Sequence, residues 1–303
     1  MNVHPKVSVI IPNYNHASFL KQRIDSVLSQ TFGDFEVIIL DDNSTDGSRE
    51  IIEAYNGHSK ISHIVFNEVN SGCTFKQWKK GIDLAKGAYI WIAESDDYAD
   101  KHFLALLVDK LSEKNVSLAY CRTTSVIDNK HDLYRWGEII QPETWNSDHI
   151  FNGSEFISSF LKYRNVIPNA SAVIFKKEYF TSIDTILKMS YAGDWFLWIT
   201  IAAKGDVAYT HKPMNYFRRH AASTRCIKSF KEEIRRIEEY FISIHEACRI
   251  THTRFKPFDK KYDWLIDQWL DRIKVFGIKK SLQPPYPPLF LLRFYFSLLT
   301  VKM

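Results

Sequence analysis

Val7-Ser8-Val9-Ile10-Ile11 and Phe35-Glu36-Val37-Ile38-Ile39-Leu40 are two short β-branched runs, and between them Phe19, Leu20, Ile24, Val27 and Leu28 recur at helical spacing. That pattern reads as strand, helix, strand. The unit repeats: a helix through Ile51, Ile52 and Tyr55 precedes a strand over Ile61 to Phe66, and a helix around Phe75 to Leu84 precedes a strand over Tyr89 to Ala93. Near-continuous apolar strands alternating with helices imply an α/β fold, a mostly parallel Rossmann-like sheet flanked by helices. In such a sheet ligands bind beyond the carboxyl ends of the strands, so the loops after Ile11, Leu40 and Ala93 are the ones to read for function.

The rest of the chain sets limits on that reading. With 303 residues, 45% of them apolar and 25% charged, the sequence can build one large domain or two small ones. Its 40 basic and 35 acidic residues are interspersed, and a net charge of +5 is small for the length, which weighs against a nucleic-acid binder. Cys73, Cys121, Cys226 and Cys248 lack the spacing of a zinc site or the density of a disulfide scaffold, and fit a reducing cytoplasm. Met1 to Lys6 leads straight into a strand without the charged start and apolar stretch of a secretion signal. No run reaches the ~20 apolar residues of a membrane span. The nearest approach is the tail Pro287 to Met303, where Leu289, Phe290, Leu291, Leu292, Phe294, Tyr295 and Phe296 surround Arg293. It could lie in a membrane interface with its basic residues toward anionic headgroups, or pack on the domain or on a second copy of the chain.

Beyond a strand at Leu118 to Arg122 the pattern loosens around Trp136, Trp145 and Asn152-Gly153, then recovers in a strand candidate at Ala172 to Phe175. This half is expected to join the same sheet. Phe230 to about Ile250 and Asp259 to Phe276 are helical in period, before Pro284-Pro285-Tyr286-Pro287-Pro288 breaks the chain. The expected division is a catalytic domain over 1–225, with a nucleotide-binding half over 1–100 and an acceptor half over 101–225, followed by a helical C-terminal region over 226–303.

The three loops carry more polar groups than turns require. After the first strand, Pro12-Asn13-Tyr14-Asn15 offers a ring and amides to a nucleobase, although on spacing alone a simple turn is the easier account. After the second, Asp41-Asp42-Asn43-Ser44-Thr45-Asp46-Gly47 precedes a helix; one acid suffices as a cap, and the surplus could accept from a base N–H or a ribose hydroxyl. The third, Glu94-Ser95-Asp96-Asp97, crowds carboxylates that repel one another unless a cation or donors compensate, and Mg²⁺ or Mn²⁺ suits such oxygens. A solvent-exposed acidic turn is the alternative.

Together these loops, with Ser29-Gln30-Thr31-Phe32 and Ala85-Lys86-Gly87 between them, resemble the signature of family-2 glycosyltransferases, which have the A-type glycosyltransferase fold. The resemblance is strong over roughly the first 100 residues and weaker to about residue 224. It implies that Pro12, Tyr14 and Asp42 contact the nucleoside, with Asn15 beside them, and that Asp42 reads uracil if the donor is a UDP-sugar. It implies that Asp96 and Asp97 stand at the metal and donor-sugar motif, Asp97 being the first choice for the Mn²⁺ or Mg²⁺. The family often has Asp where this chain has Glu94, and commonly an Arg-Asn pair where it has Trp78-Lys79; Lys76 is the nearby cation left to meet a diphosphate. Tyr216 to Ser223 resembles the family's loop over the diphosphate, offering Arg218, Arg219 and His220, the last also a metal ligand.

An inverting transfer is a single displacement, so one carboxylate must take the proton of the acceptor hydroxyl. Asp194, in Ala192-Gly193-Asp194-Trp195 just before a helical run, resembles the family's catalytic acid position; locally, an N-cap explains it as well. The expected function is hexosyl or N-acetylhexosaminyl transfer to a growing glycan, such as a lipid-linked saccharide, by a cytoplasmic enzyme on the inner membrane face if the tail is interfacial. A sugar nucleotidyltransferase should carry a Gly-rich basic loop after the first strand, which Pro12 to Ser18 is not. A binding module without chemistry would not need the acids. A dinucleotide-dependent oxidoreductase lacks its Gly-x-Gly-x-x-Gly, and a glycosidase would place its carboxylates astride a glycosidic bond rather than beside a phosphate site.

Overall fold

A computed structural model describes residues 4–128, 130–135, 140–181, 183–220, 229–277 and Arg293. Its first half is β1 (Val7–Asn13), α1 (Ala17–Leu28), β2 (Phe35–Asp41), α2 (Ser48–Glu53), β3 (Ile61–Phe66), α3 (Thr74–Leu84) and β4 (Tyr89–Ile92). All residues of β1 and β2 are buried because both faces of the sheet are covered. Alternate side chains part to opposite sides, as the strand period of two requires. Val7, Val9 and Ile11 pack with Leu20, Ile24 and Val27 of α1, whereas Ile10 packs with Phe75, Trp78 and Ile82 of α3. Gly87 lets the chain enter β4 close to β1: a Cβ there would stand 2.6 Å from the Ser8 nitrogen, and the Gly87 N–H donates to Ser8 Oγ at 2.8 Å.

The second half adds β5 (Tyr98–Ala99), α4 (Phe103–Leu111), β6 (Val116–Ile127), β7 (Lys130–Leu133), β8 (His149–Phe151), α5 (Gly153–Phe156), β9 (Val173–Lys176), α6 (Ile183–Ile186), α7 (Gly193–Ala202) and β10 (Asp206–Arg218). All ten strands join one sheet, ordered β3-β2-β1-β4-β9-β6-β10-β5, with β7 beside β6 and β8 beside β10. The pairings β1–β2, β2–β3, β1–β4 and β6–β10 are parallel. β9 runs antiparallel between β4 and β6, so the second half is joined to the first through a reversed strand and the complete sheet is mixed. β10 escaped the sequence reading, which took Tyr216 to Arg218 for a loop. Its alternation is broken at exposed His211, Lys212 and Pro213, where its register against β6 shifts.

Helices α8 (Phe230–Ile250) and α9 (Asp263–Phe276) follow. Ser229 caps α8, accepting from Glu232 N–H at 3.2 Å. Ile237, Phe241 and Ile244 of α8 and Leu265 and Trp269 of α9 enter the same core as α7 and the α3 face of the sheet. Trp269 is fully buried, and truncating such a side chain costs about 3–5 kcal/mol. No helix among the described residues is long and apolar enough to cross a membrane. The tail lies outside the described residues except for Arg293, which is buried rather than turned to solvent. Its guanidinium donates to the carbonyls of Pro257 at 2.5 Å and Asp259 at 2.9 Å and pairs with Asp263. Trp136 and Cys226 also lie outside.

Candidate active site

The first two strand-end loops are tied to each other. Asn13 Nδ2 donates to Asp41 Oδ1 at 2.7 Å, and Asp41 in turn holds Ser44 through its N–H and hydroxyl, so Asp41 is a turn-former. Asn15 adopts a left-handed φ of 55° and accepts from Thr45 N–H at 2.8 Å. An asparagine tolerates that backbone better than most residues, and it bolts the two loops together there. Pro12 is buried at the end of β1, and the Tyr14 ring is 47% exposed beside it. Asp42 points the other way and is only 4% exposed. Its carboxylate accepts from Asn67 Nδ2 (2.6 Å), Gln77 Nε2 (2.8 Å), and both the N–H (2.9 Å) and hydroxyl (2.7 Å) of Ser71. A base N–H reaching Asp42 would have to displace one of these donors. Lys76 is exposed and donates to the Ser71 carbonyl at 3.0 Å, apart from the acids after β4.

The third loop encloses a buried charge network. Arg23, fully buried on α1, donates from Nε to the Glu94 carbonyl at 2.8 Å and from Nη2 to Ser171 Oγ at 3.1 Å, and lies 3.9 Å from Asp97 Oδ2. Asp97 also accepts from Asn169 Nδ2 at 2.5 Å and from the Arg218 N–H at 3.0 Å. Burial, and then the charge of Asp96, push its carboxyl up. Burial raises Glu94 to about 8, with the Asp96 charge adding to it and the bond from Trp78 opposing. That bond joins the two places where the chain departs from the family pattern: Trp78 Nε1 donates to Glu94 Oε1 at 2.8 Å. The glutamate's extra methylene reaches an indole where the family pattern has an arginine.

Asp96 faces elsewhere. Its Oδ2 lies 3.0 Å from His220 Nε2, and His16 completes a group whose candidate ligand atoms lie within 4.8 Å of one another. His16 Nδ1 is bonded to Ser95 Oγ at 2.8 Å, which fixes its ring beside the cluster. Burial, outweighing the pull of Asp96, lowers the His16 imidazole and so favours the neutral form that can ligate a cation. For Asp96 burial works upward, but the His220 bond and the two imidazoles hold its carboxyl below the ordinary value. These three residues fit a divalent cation. Asp97, the first choice from sequence, is absent from the group, because its oxygens are taken up by Asn169, Arg218 and the approach of Arg23. Arg218 rather than Arg219 is the arginine turned inward: its Nη1 donates to the Asp96 carbonyl at 2.7 Å, while Arg219 is exposed.

Asp194 lies in the first turn of α7, where the helix dipole favours a negative charge, but the N-cap is Ala192. Its Oδ2 accepts from Asn165 Nδ2 at 3.1 Å and its Oδ1 from the next N–H at 2.7 Å. Glu239 of α8 holds the turn that leads into α7: buried, it accepts from the N–H groups of Ser190 (2.7 Å), Tyr191 (2.7 Å) and Ala192 (2.8 Å). Gly193 brings this turn against α3, since a Cβ would stand 2.6 Å from the Phe75 ring. Asp194, Glu94, Asp96, Asp97 and His16 all line one cavity of about 340 Å³.

Residues 8–174 match the family described as Glycosyl transferase family 2. The chain belongs to that family. A Bacillus subtilis glycosyltransferase, TuaG, named as a candidate for teichuronic acid biosynthesis, is 27% identical over 208 residues, spanning 69% of this chain and 76% of its own. Residues 1–349 of TarS from S. aureus, solved with UDP-GlcNAc, superpose with a TM-score of 0.63 at 19% identity, covering 90% of this chain and 73% of that one. The mannosyltransferase PcManGT from Pyrobaculum calidifontis, solved with GDP-Man and Mn²⁺, gives 0.55 at 18%, covering 99% and 82%. The glycosyltransferase therefore has the A-type fold expected from its loops.

Several residues of this glycosyltransferase's site carried no role in the sequence reading. Arg23 had a legible signal, a cation on the apolar stripe formed by Leu20, Ile24 and Val27. His16 sits one residue beyond the first loop as it was read. Asn169, Ser171, Asn165 and Glu239 reach the site from distant segments, and nothing local distinguishes them.

Proposed function

We propose that this glycosyltransferase inverts configuration, moving a hexosyl or N-acetylhexosaminyl group from a UDP-sugar to a hydroxyl of a growing glycan. The observation that carries the reading is that Asp194 lines the same cavity as His16 and Asp96, two members of the cluster that His220 completes. The acceptor oxygen attacks the anomeric carbon, the bond from that carbon to the diphosphate oxygen breaks, and the acceptor proton passes to Asp194 as UDP leaves. Asn165 holds one Asp194 oxygen, and Glu239 fixes the turn that presents it. Arg218, anchored by the Asp96 carbonyl, adds positive charge beside the leaving diphosphate. Bound at the three ligands, a divalent cation would stabilise the charge that develops on UDP; their mixed nitrogen and oxygen donors suit Mn²⁺ better than Mg²⁺, which prefers oxygen. Tyr14 and Pro12 border the nucleoside side of the cleft, with Asp42 behind the segment around Ser71.

The UDP linkage draws support from the UDP-GlcNAc complex of TarS, and the growing-glycan acceptor from the teichuronic acid biosynthesis in the name of TuaG. The test is UDP release from a panel of UDP-sugars with Mn²⁺, with and without saccharide acceptors, for the wild type and Asp194→Asn. The expected result is acceptor-dependent release lost in the variant while UDP binding is kept. Unchanged transfer would remove Asp194 from the mechanism, and wild-type inactivity across donors would favour a binding module.

A further inference from the structure

Between α8 and α9 the chain makes a turn, His252 to Tyr262, that carries Arg254, Lys256, Lys260 and Lys261 against one acid, Asp259. All four cations are exposed. The acid is occupied: its carboxylate accepts from the Lys261 N–H at 3.0 Å and caps the short helical turn Lys260–Tyr262 that leads into α9. Lys162 adds a cation from another segment, since its Nζ and that of Lys261 lie 4.9 and 4.5 Å from the centre of the same Tyr163 ring. Phe258, two residues from Lys256 and two from Lys260, is 56% exposed. A place to pack lies close by. Phe255, three residues earlier, meets Phe241 and Tyr262 at ring distances of 5.9 and 5.1 Å, and Tyr262 meets Tyr163 at 5.1 Å. The backbone around Phe258 is instead fixed with the ring outside this cluster. Arg293 donates to the carbonyls on either side of it, those of Pro257 and Asp259, Pro257 is buried, and the Asp259 N–H donates to the Lys256 carbonyl at 3.0 Å. One exposed ring is ordinary on a protein surface, but a ring clamped outward between lysines is not.

We propose that this turn docks on an anionic lipid bilayer, with Phe258 inserted at the level of the headgroups and Arg254, Lys256, Lys260 and Lys261 set against their phosphates. An interface accepts this combination because the ring leaves water while the cations stay in it, beside charges of opposite sign. A soluble polyanion would be met by the lysines alone and would gain nothing from the phenylalanine. Trp264, three residues beyond Lys261, lines the cavity, so docking here places the segment at the cavity's helical end next to the lipid surface. On the transferase reading, that is where a lipid-linked acceptor arrives.

The experiment sediments the full chain with phosphatidylcholine vesicles, with and without phosphatidylglycerol, at low and at high salt. Partitioning is expected onto the anionic vesicles only, and it should weaken as salt screens the lysines. Lys256→Gln combined with Lys260→Gln should weaken it about 10- to 30-fold. Phe258→Ser should weaken it about 5- to 10-fold while leaving binding to soluble polyphosphate unchanged. Because these side chains are exposed, the melting temperature of each variant should match the wild type. Equal sedimentation with both vesicle types, none with either, or partitioning that survives the lysine substitutions or Phe258→Ser would overturn the proposal. So would binding to polyphosphate as tight as to the vesicles, which would make the partner a soluble polyanion. Vesicle binding is measured without turnover, so its failure is separate from failure of the transferase reading.

Discussion

At the sheet end of the cavity the functional side chains follow the strands that position them: Asp42 comes one residue after β2, and Asp96 four residues after β4. At the helical end, Asp194 is held by Asn165, 29 residues earlier, and the turn before it is held by Glu239, 47 to 49 residues beyond the amides it binds. The first end is a local construction on a rigid sheet, and its charges are balanced within the loops and by Arg23. The second is an assembly of separate helices, and its geometry depends on tertiary packing. On the proposed reading, donor and cation contacts rest on the first kind of surface, whereas the base rests on the second and depends on how the helices pack.

That contrast can be broken experimentally. The largest effect is expected for Asp194→Asn, which should lower the rate of transfer about 10²- to 10⁴-fold, checked by acceptor-dependent UDP release at saturating donor. Asp96→Ala should follow, costing at least about 100-fold in kcat/KM through lost charge stabilisation on the leaving group, with the remaining rate insensitive to added Mn²⁺. Glu239→Gln removes a charged acceptor from three amides. It should lower stability by roughly 1.5–3 kcal/mol by thermal or denaturant unfolding and reduce kcat while leaving the UDP dissociation constant unchanged. A parallel loss of UDP affinity would show that the two ends are not separable. Smallest is Tyr14→Ala: its exposed ring should contribute only about 0.5–1.5 kcal/mol to nucleoside stacking, a few-fold change in UDP affinity by calorimetry, with no change in melting temperature.

The same contrast explains what the sequence revealed. Continuous apolar strands and 3.6-spaced helices made the first sheet half legible, because β1 and β2 are buried on both faces and carry no ambiguity of side. The acids after β2 and β4 were legible as a site, but their division of labour was not. Asp96 and Asp97 are neighbours whose side chains point to different partners, one to His220 and the other to Asn169, and nothing in the sequence tells the two apart. Asp42 reads as a nucleoside contact, and nothing in the sequence shows that Ser71 and Gln77 surround its carboxylate. Glu94 and Trp78 each read as a separate departure from the family pattern, and the structure shows them bonded to each other. β10 was hidden by its bulge at Lys212-Pro213, and with it the position of Arg218. Glu239 reads along α8 as one more helix charge, since its amide partners lie in another segment.

On the proposed reading, His16, Asp96 and His220 hold the cation beside the cavity that Asp194 also lines. Electron paramagnetic resonance of Mn²⁺ bound with UDP tests it most directly, because nitrogen from each coordinated imidazole couples to the manganese spin. The account predicts coupling from two nitrogens, one lost in His16→Ala and one in His220→Ala, with the manganese signal retained in Asp97→Asn. Absence of nitrogen coupling in the wild type, or loss of bound manganese in Asp97→Asn with these histidines intact, would contradict it.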